Sequence, residues 1–346
     1  HRRRQRQMCI RDRIYSVQPW NFPLYQPVRV LAANLIAGNS VILKHASICT
    51  GSGLLLRDLC EEAGLPKGLF DVIIVGHDLS DKVIEHKLIR AVTMTGSDGA
   101  GSHIGELASK NLKKTVLELG SNDAYLVLED ADIETAVKTC VMGRLYNNGE
   151  TCVSAKRFIV TDAVYDEFVS AFVERMKGVT MGDPTKDDTQ LGPLSSKEQF
   201  DTIVDQVSKS IDQGATLLCG GDPADDAGCY YPATVLADCK PGMPAYDDEL
   251  FGPVASVIRA KDDEDAMRIA NDSRYGLGGG IFTKDEDKAV RLARDHFDTG
   301  MVRINSFGAA DPNMPFGGVK DSGYGREHGG FGMKEFVNAK AIFLPS

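Results

Sequence analysis

The sequence predicts an α/β protein with open, mostly parallel sheets and more than one domain. Three observations carry this. Short apolar, β-branched runs alternate with segments of helical spacing, the pattern of βαβ units. At 346 residues the chain exceeds the size at which one core stops growing. Its 42% hydrophobic and 25% charged residues are ordinary for a soluble globular protein.

The elements follow in order. Residues 1–13 carry six Arg against one Asp, a local +5, which leaves −15 for the rest of a chain whose net charge is −10. They read as a leader foreign to the fold. From Ile14 to Gly120 strand and helix alternate. Ser40 to Leu43 is a strand. Gly51 to Ala63 is a helix that stops at Gly64-Leu65-Pro66. Phe70 to Val75 and Ala91 to Thr95 are further buried strands. A second α/β stretch follows. Asp132 caps a helix reaching Arg144, Arg157 to Val160 is a strand, and Ala163 to Met176 is a helix. Lys197 to Gln213 and Asp263 to Asn271 are helical, and Val254 to Arg259 is a strand. Gly276 to Gly280 leads into another strand, and Phe336 to Leu344 reads as a final edge strand.

Composition excludes several classes. The acidic net charge argues against a nucleic-acid partner. No apolar run approaches the roughly 20 residues a membrane span needs. The eight cysteines form no C-x-x-C pair and no Cys/His cluster, so neither a zinc site nor a disulfide framework is indicated. Reduced thiols in a cytoplasm fit better.

Cys152 is the most informative residue. It closes Asn148-Gly149-Glu150-Thr151-Cys152, downstream of Glu118 in Leu117-Glu118-Leu119-Gly120. A thiol that attacks carbon and a carboxylate that activates water are the two groups an acyl-thioester mechanism needs. Pro19-Trp20-Asn21-Phe22-Pro23 holds Asn21 in a rigid turn, where its amide can donate to an oxyanion. Thr95-Gly96-Ser97-x-x-x-Gly101 follows a strand and opens a helix whose amino terminus favours a pyrophosphate. Lys44 ends a strand, facing the ligand crevice of an open sheet. Glu249-Leu250-Phe251-Gly252-Pro253 lies in an acidic segment, ordinarily a solvated face. Pro315-Phe316-Gly317-Gly318 and the loop from Ser322 to Glu327 are Gly-rich turns.

Together, in this order, these motifs resemble the aldehyde dehydrogenase superfamily from about Ile14 to Leu344. Within it the chain is most similar to the succinate-semialdehyde dehydrogenases. The resemblance implies part of a Rossmann-like NAD(P)-binding domain over 14–119, a catalytic domain over 120–325 and an oligomerisation strand over 333–346. It makes Cys152 the nucleophile, Glu118 the general base and Asn21 an oxyanion donor. Lys44 would bind the adenosine ribose, Ser97 with Gly96 the pyrophosphate, and Glu249 the nicotinamide ribose, with Phe251 beside the ring. Arg29, six residues after Pro23, would bind a substrate carboxylate, a task that suits a guanidinium. No metal is implied, and the full-length protein would be a homo-oligomer.

Departures from the family pattern sharpen this. Tyr146 stands where some succinate-semialdehyde enzymes place a second Arg. Ser47 stands three residues after Lys44, where NAD-preferring relatives carry a Glu; without that carboxylate nothing repels a 2′-phosphate, so NAD and NADP are both expected as cofactors. Glu150 replaces a Gln, and would raise the thiol pKa if it faced the sulfur. Ser121 replaces a second Gly after Gly120. Relatives carry well over a hundred residues before the Pro-Trp-Asn-Phe-Pro motif, so the chain reads as amino-terminally truncated. Three readings remain: oxidation of succinic semialdehyde or another small aldehyde with NAD(P), a non-catalytic dinucleotide-binding fragment, and transfer of the thioester to coenzyme A.

Overall fold

A computed structural model describes residues 8–10, 13–223 and 228–344. The chain divides into two units: residues 1–119 with 310–317 and 323–346, and residues 120–309 with 318–322. Residues 310–317 and 323–325 thus pack with the first unit, whereas the motif reading kept the chain up to 325 in the second.

The first unit is built on a six-stranded sheet. Its order is Gly323–Tyr324, Lys114–Glu118, Ala91–Thr95, Arg13–Gln18, Ser40–His45, Phe70–Val72. Every pairing is parallel except that of Gly323–Tyr324 with Lys114–Glu118. From Arg13–Gln18 the chain steps outward on one side, then returns to Ala91–Thr95 and steps outward on the other. The carboxyl ends of these two neighbours therefore flank a topological switch point, where open α/β sheets bind ligands. Alternate residues face opposite ways along each strand. Ile14, Val41, Leu43, Phe70 and Val116 form a core with Val30, Leu31 and Leu56 on one face. Tyr15, Val92, Met94 and Leu117 form another with Ile84, Ile104 and Ala108.

The second unit holds a seven-stranded sheet. Its order is Arg303–Ile304, Gly279–Phe282, Ala124–Val127, Arg157–Thr161, Val254–Ala260, Thr234–Ala237, Thr216–Cys219, with only the last strand antiparallel. Leu126, Ile159, Leu236 and Ile258 pack on one side, Tyr125, Phe158, Val235 and Val257 on the other. Asp132, the cap expected from sequence, accepts the main-chain N–H three residues on, and Ser196 and Asp262 cap their helices in the same way.

Three expectations change. The strand expected over Phe70 to Val75 ends at Val72. The expected edge strand from Phe336 to Leu344 shortens to Val337–Ala339, behind a helix over Gly329–Glu335. Its partner is Met8–Ile10, paired antiparallel, a segment assigned above to the leader. Arg13, the leader's last residue, opens the central strand of the first sheet. Residues 1–7 and 11–12 lie outside the described residues. Among the described residues no helix is long and apolar enough to cross a membrane, and no group of three or more His, Cys, Asp or Glu could hold a metal ion.

Candidate active site

In the first unit the strand Lys114–Glu118 carries Glu118 at its carboxyl end. Glu118 is 2% exposed, and neither carboxylate oxygen has a hydrogen-bond partner among the described residues. Burial pushes its pKa well above the ordinary carboxylate range, and the charge of Glu327 pushes it further; Arg29 and Arg326 pull it back. Such a carboxyl holds its proton more tightly than a solvated one, which suits a general base working near neutral pH. Gly317 lies against it: a Cβ there would meet Glu118 Oε1 at 2.7 Å.

Asn21 sits in the turn that follows the strand Arg13–Gln18. Gln26 Nε2 donates to Asn21 Oδ1 at 3.1 Å, which orients the carboxamide. His45 Nδ1 accepts from Ala46 N–H at 2.9 Å, so its Nε2–H donates to the Pro23 carbonyl at 2.8 Å and ties the turn to the strand Ser40–His45. Lys44, one residue earlier, is half-buried, and desolvation lowers its pKa. Ser47 is exposed. Ser97 caps the helix Asp98–Lys110, its Oγ accepting from Ala100 N–H at 3.3 Å. Gly96 links the adjacent strand to this cap, its N–H bonded to the Glu118 carbonyl at 3.0 Å.

Arg29 departs from expectation. Its Nε forms an ion pair with Glu327 Oε2 at 2.5 Å, and its side chain is only 4% exposed. Its Nη2 donates to Thr95 Oγ1 at 3.3 Å, and its guanidinium lies 4.9 Å from the Phe316 ring centre. The guanidinium is committed to a buried carboxylate of the protein itself.

In the second unit the segment before Cys152 is held at each residue. Asn147, Asn148 and Gly149 all have left-handed φ, 52°, 56° and 77°. Asn tolerates that region and Gly occupies it freely. Asn148 bonds the Pro193 carbonyl and the Gly192 N–H, both at 3.0 Å. Arg144, fully buried, donates from Nη2 to the Gly149 carbonyl at 2.8 Å. At Gly149 a Cβ would fall 2.2 Å from the Gly252 carbonyl oxygen, so no other residue fits. Glu150 Oε1 accepts from Ser195 N–H at 3.0 Å and Ser195 Oγ at 2.7 Å. Glu150 Oε1 thus supports the start of the helix Lys197–Asp212, and burial raises the pKa of its carboxyl.

Lys156 was missed by sequence reasoning. Its ammonium, 1% exposed, donates to the Cys152 carbonyl at 2.6 Å and to the Thr151 carbonyl and Ser121 Oγ at 3.1 Å each. It also forms an ion pair with Glu249 Oε1 at 3.2 Å. Ser121 Oγ in turn donates to the Cys152 carbonyl. Glu249, expected to be a ribose ligand, is thus a partner of this cation, and burial raises its pKa while Lys156 lowers it. Phe251, two residues on, is half-buried. The one sequence signal for Lys156 was its position four residues after the cysteine, in a segment leading into a strand.

Residues 13–342 match the aldehyde dehydrogenase family profile. The chain belongs to the aldehyde dehydrogenase family. Among similar proteins of this family, the succinate-semialdehyde dehydrogenase [NADP(+)] of Deinococcus radiodurans is 45% identical over 329 residues, covering 95% of this chain and 69% of the relative. The corresponding enzyme 1 of Mycobacterium ulcerans is 44% identical, covering 96% and 72%. A crystal structure of the succinic semialdehyde dehydrogenase of Streptococcus pyogenes with NADP+ superposes with a TM-score of 0.96 at 42% identity, covering 99% of this chain and 75% of that one. A Mycobacterium tuberculosis aldehyde dehydrogenase complexed with NAD+ gives 0.94 at 34% identity, covering 98% and 70%.

Proposed function

We propose that the protein oxidises succinic semialdehyde to the carboxylic acid, with NADP or NAD as acceptor. Cys152 supplies the thiolate. The observation that carries this is its position: a partly exposed cysteine at the end of a main chain held at each residue from Asn147 onward. Residues that keep strained conformations because their surroundings over-determine them mark functional sites.

The chain's own groups divide the work. The Cys152 thiolate attacks the aldehyde carbon and gives a thiohemiacetal. Asn21 and the Cys152 N–H donate to its oxyanion. Each such donor is commonly worth about 3–4 kcal/mol. When bound, the nicotinamide accepts the hydride that leaves this carbon. Glu118 takes a proton from the water that hydrolyses the resulting thioester, and its raised pKa suits that task.

The first unit is read as the cofactor domain and the second as the catalytic domain. Two observations support a dinucleotide on the first. The strand ends carrying Lys44 and Gly96-Ser97 lie on the same edge of the sheet, around the switch point. The amino terminus of the helix after Ser97, the positive end of its dipole, lies beside that edge. Lys44 would meet the ribose, and exposed Ser47 leaves room for a 2′-phosphate. Glu249 and Phe251 keep their proposed places at the nicotinamide end, Glu249 with Lys156 as its counter-charge. Arg29 keeps its proposed place at the substrate carboxylate, with Glu327 as its counter-charge. A cytoplasmic homo-oligomer completes the reading.

The test is pre-steady-state formation of NADPH or NADH with succinic semialdehyde. Wild type gives rapid reduced cofactor and Cys152→Ser gives none; reduced cofactor formed by Cys152→Ser, or none by wild type with either cofactor, overturns the reading.

A further inference from the structure

Two residues of this chain converge on the main chain of the nucleophile. The Ser121 hydroxyl bridges Lys156 Nζ and the Cys152 carbonyl. Lys156 directs all three of its donors inward, to Ser121 Oγ and to the carbonyls of Thr151 and Cys152. Glu249 at 3.2 Å balances the charge, and buried Asp123 lies within its field. An ammonium bonded on every side is fixed in place.

The peptide between Thr151 and Cys152 is trans, since no described peptide bond is cis. In a trans peptide the C=O and the N–H point in opposite directions. A cation that holds the Thr151 carbonyl at 3.1 Å therefore aims the Cys152 N–H the other way. A carbonyl that accepts from a cation also makes the N–H of the same peptide a stronger donor, because hydrogen bonds in series polarise one another. The second bond, to the Cys152 carbonyl, fixes the next peptide and with it the rotation of the cysteine between them.

We propose that Lys156, together with Ser121, is the positioning group of the oxyanion hole: it aims and polarises the Cys152 N–H toward the aldehyde oxygen. This rests on the reading of Cys152 as nucleophile. The effect acts on the charge that develops as the thiolate adds to the aldehyde, so it falls on the rate of thiohemiacetal formation, which first-turnover NADPH reports, and spares aldehyde binding.

The test uses the full chain with succinic semialdehyde and NADP, following NADPH formation in the first turnover. Lys156→Met lowers the rate constant about a hundredfold, the scale of one lost oxyanion donor, with KM for the aldehyde within about threefold of wild type. Ser121→Gly removes the bridging hydroxyl and spares the ion pair, so it serves if Lys156→Met does not fold; it lowers the rate constant about threefold to tenfold. A clasp that only supports the fold lowers the amplitude, the fraction of competent chains, and leaves the rate constant alone. An unchanged rate constant in Ser121→Gly, or in a folded Lys156→Met, overturns the proposal. Cys152→Ser runs alongside: NADPH formed by that variant overturns the nucleophile assignment instead.

Discussion

Arg29 and Glu327 form a buried ion pair, Nε to Oε2 at 2.5 Å, beside the unpartnered carboxylate of Glu118. Removing one partner of such a pair leaves an uncompensated charge and typically costs about 3–5 kcal/mol. Arg29→Met is expected to destabilise the first unit on that scale. Adding Glu327→Gln should restore most of the loss. Denaturant unfolding of the two single variants and the double variant measures the coupling, and additive losses would show the pair contributes nothing.

Glu118→Gln is expected to slow turnover sharply while stabilising the fold as pH rises above the ordinary carboxylate range. The folded-state pKa of Glu118 is raised, first by burial and then by Glu327. Its protonated form is therefore the one the fold favours. The stability this contributes is complete below the ordinary carboxylate pKa and is lost as pH rises through the folded value. The glutamine, which cannot ionise, keeps it. Loss of a general base costs about 10²–10⁴ in rate. First-turnover NADPH should survive, because the thiohemiacetal is oxidised before water is needed. Thermal unfolding from pH 5 to 9 gives the stability profile, and a parallel profile for the two proteins would refute the assignment.

Glu150→Gln should leave the pH dependence of thiol alkylation unshifted, because Glu150 bonds Ser195. The amide keeps an acceptor oxygen for those two bonds. What changes is stability: the raised pKa of Glu150 costs wild type stability as pH rises, and the variant loses that slope. A downward shift of the alkylation profile would mean the carboxylate faces the sulfur.

Gly149→Ala is expected to lose activity through the loop. Its φ of 77° and the 2.2 Å approach of the Gly252 oxygen to a Cβ add strain to a clash. Backbone strain of this kind is worth about 1–3 kcal/mol, and the clash must move one chain off the other. Iodoacetamide labelling of Cys152, compared with wild type, reports whether the thiol has moved; identical labelling and kcat would count against a shaped loop.

Ser47→Glu tests cofactor choice. A carboxylate at this exposed position would repel a 2′-phosphate, so kcat/KM with NADP should fall tenfold or more and that with NAD should hold. Equal effects on both cofactors would place Ser47 outside the site.

The periodicity of the sequence made much of this fold legible. Ala91–Thr95, the helix capped by Asp132 and the helix Asp263–Asn271 lie where spacing put them, because each couples an apolar pattern to a local start or stop signal. The helix Tyr25–Ile36 was missed: Pro27 interrupts its sequence near the start, and its cap residue Leu24 carries no side-chain acceptor. At the site, residue type singled out Cys152 and Glu118 as candidates, since few side chains can do their chemistry. Arg29, Glu150 and Glu249 were legible as charges but not in their partners, because Glu327, Ser195 and Lys156 are brought to them by the fold. Lys156 reads in sequence as an ordinary cation ahead of a strand, and only burial reveals it.

The first unit is interrupted by the second, and this sets an order of assembly during synthesis. Glu118 pairs with Gly323, so the strand bearing the carboxylate gains its outer neighbour only when the ribosome has made some two hundred further residues. At roughly 5–20 residues per second, that edge waits for ten seconds or more while the intervening α/β unit collapses on its own. An open edge over such an interval is an invitation to mispairing. The nascent chain thus completes the surroundings of Glu118 late, and mispairing in that window is a hazard separate from the stability of the finished fold.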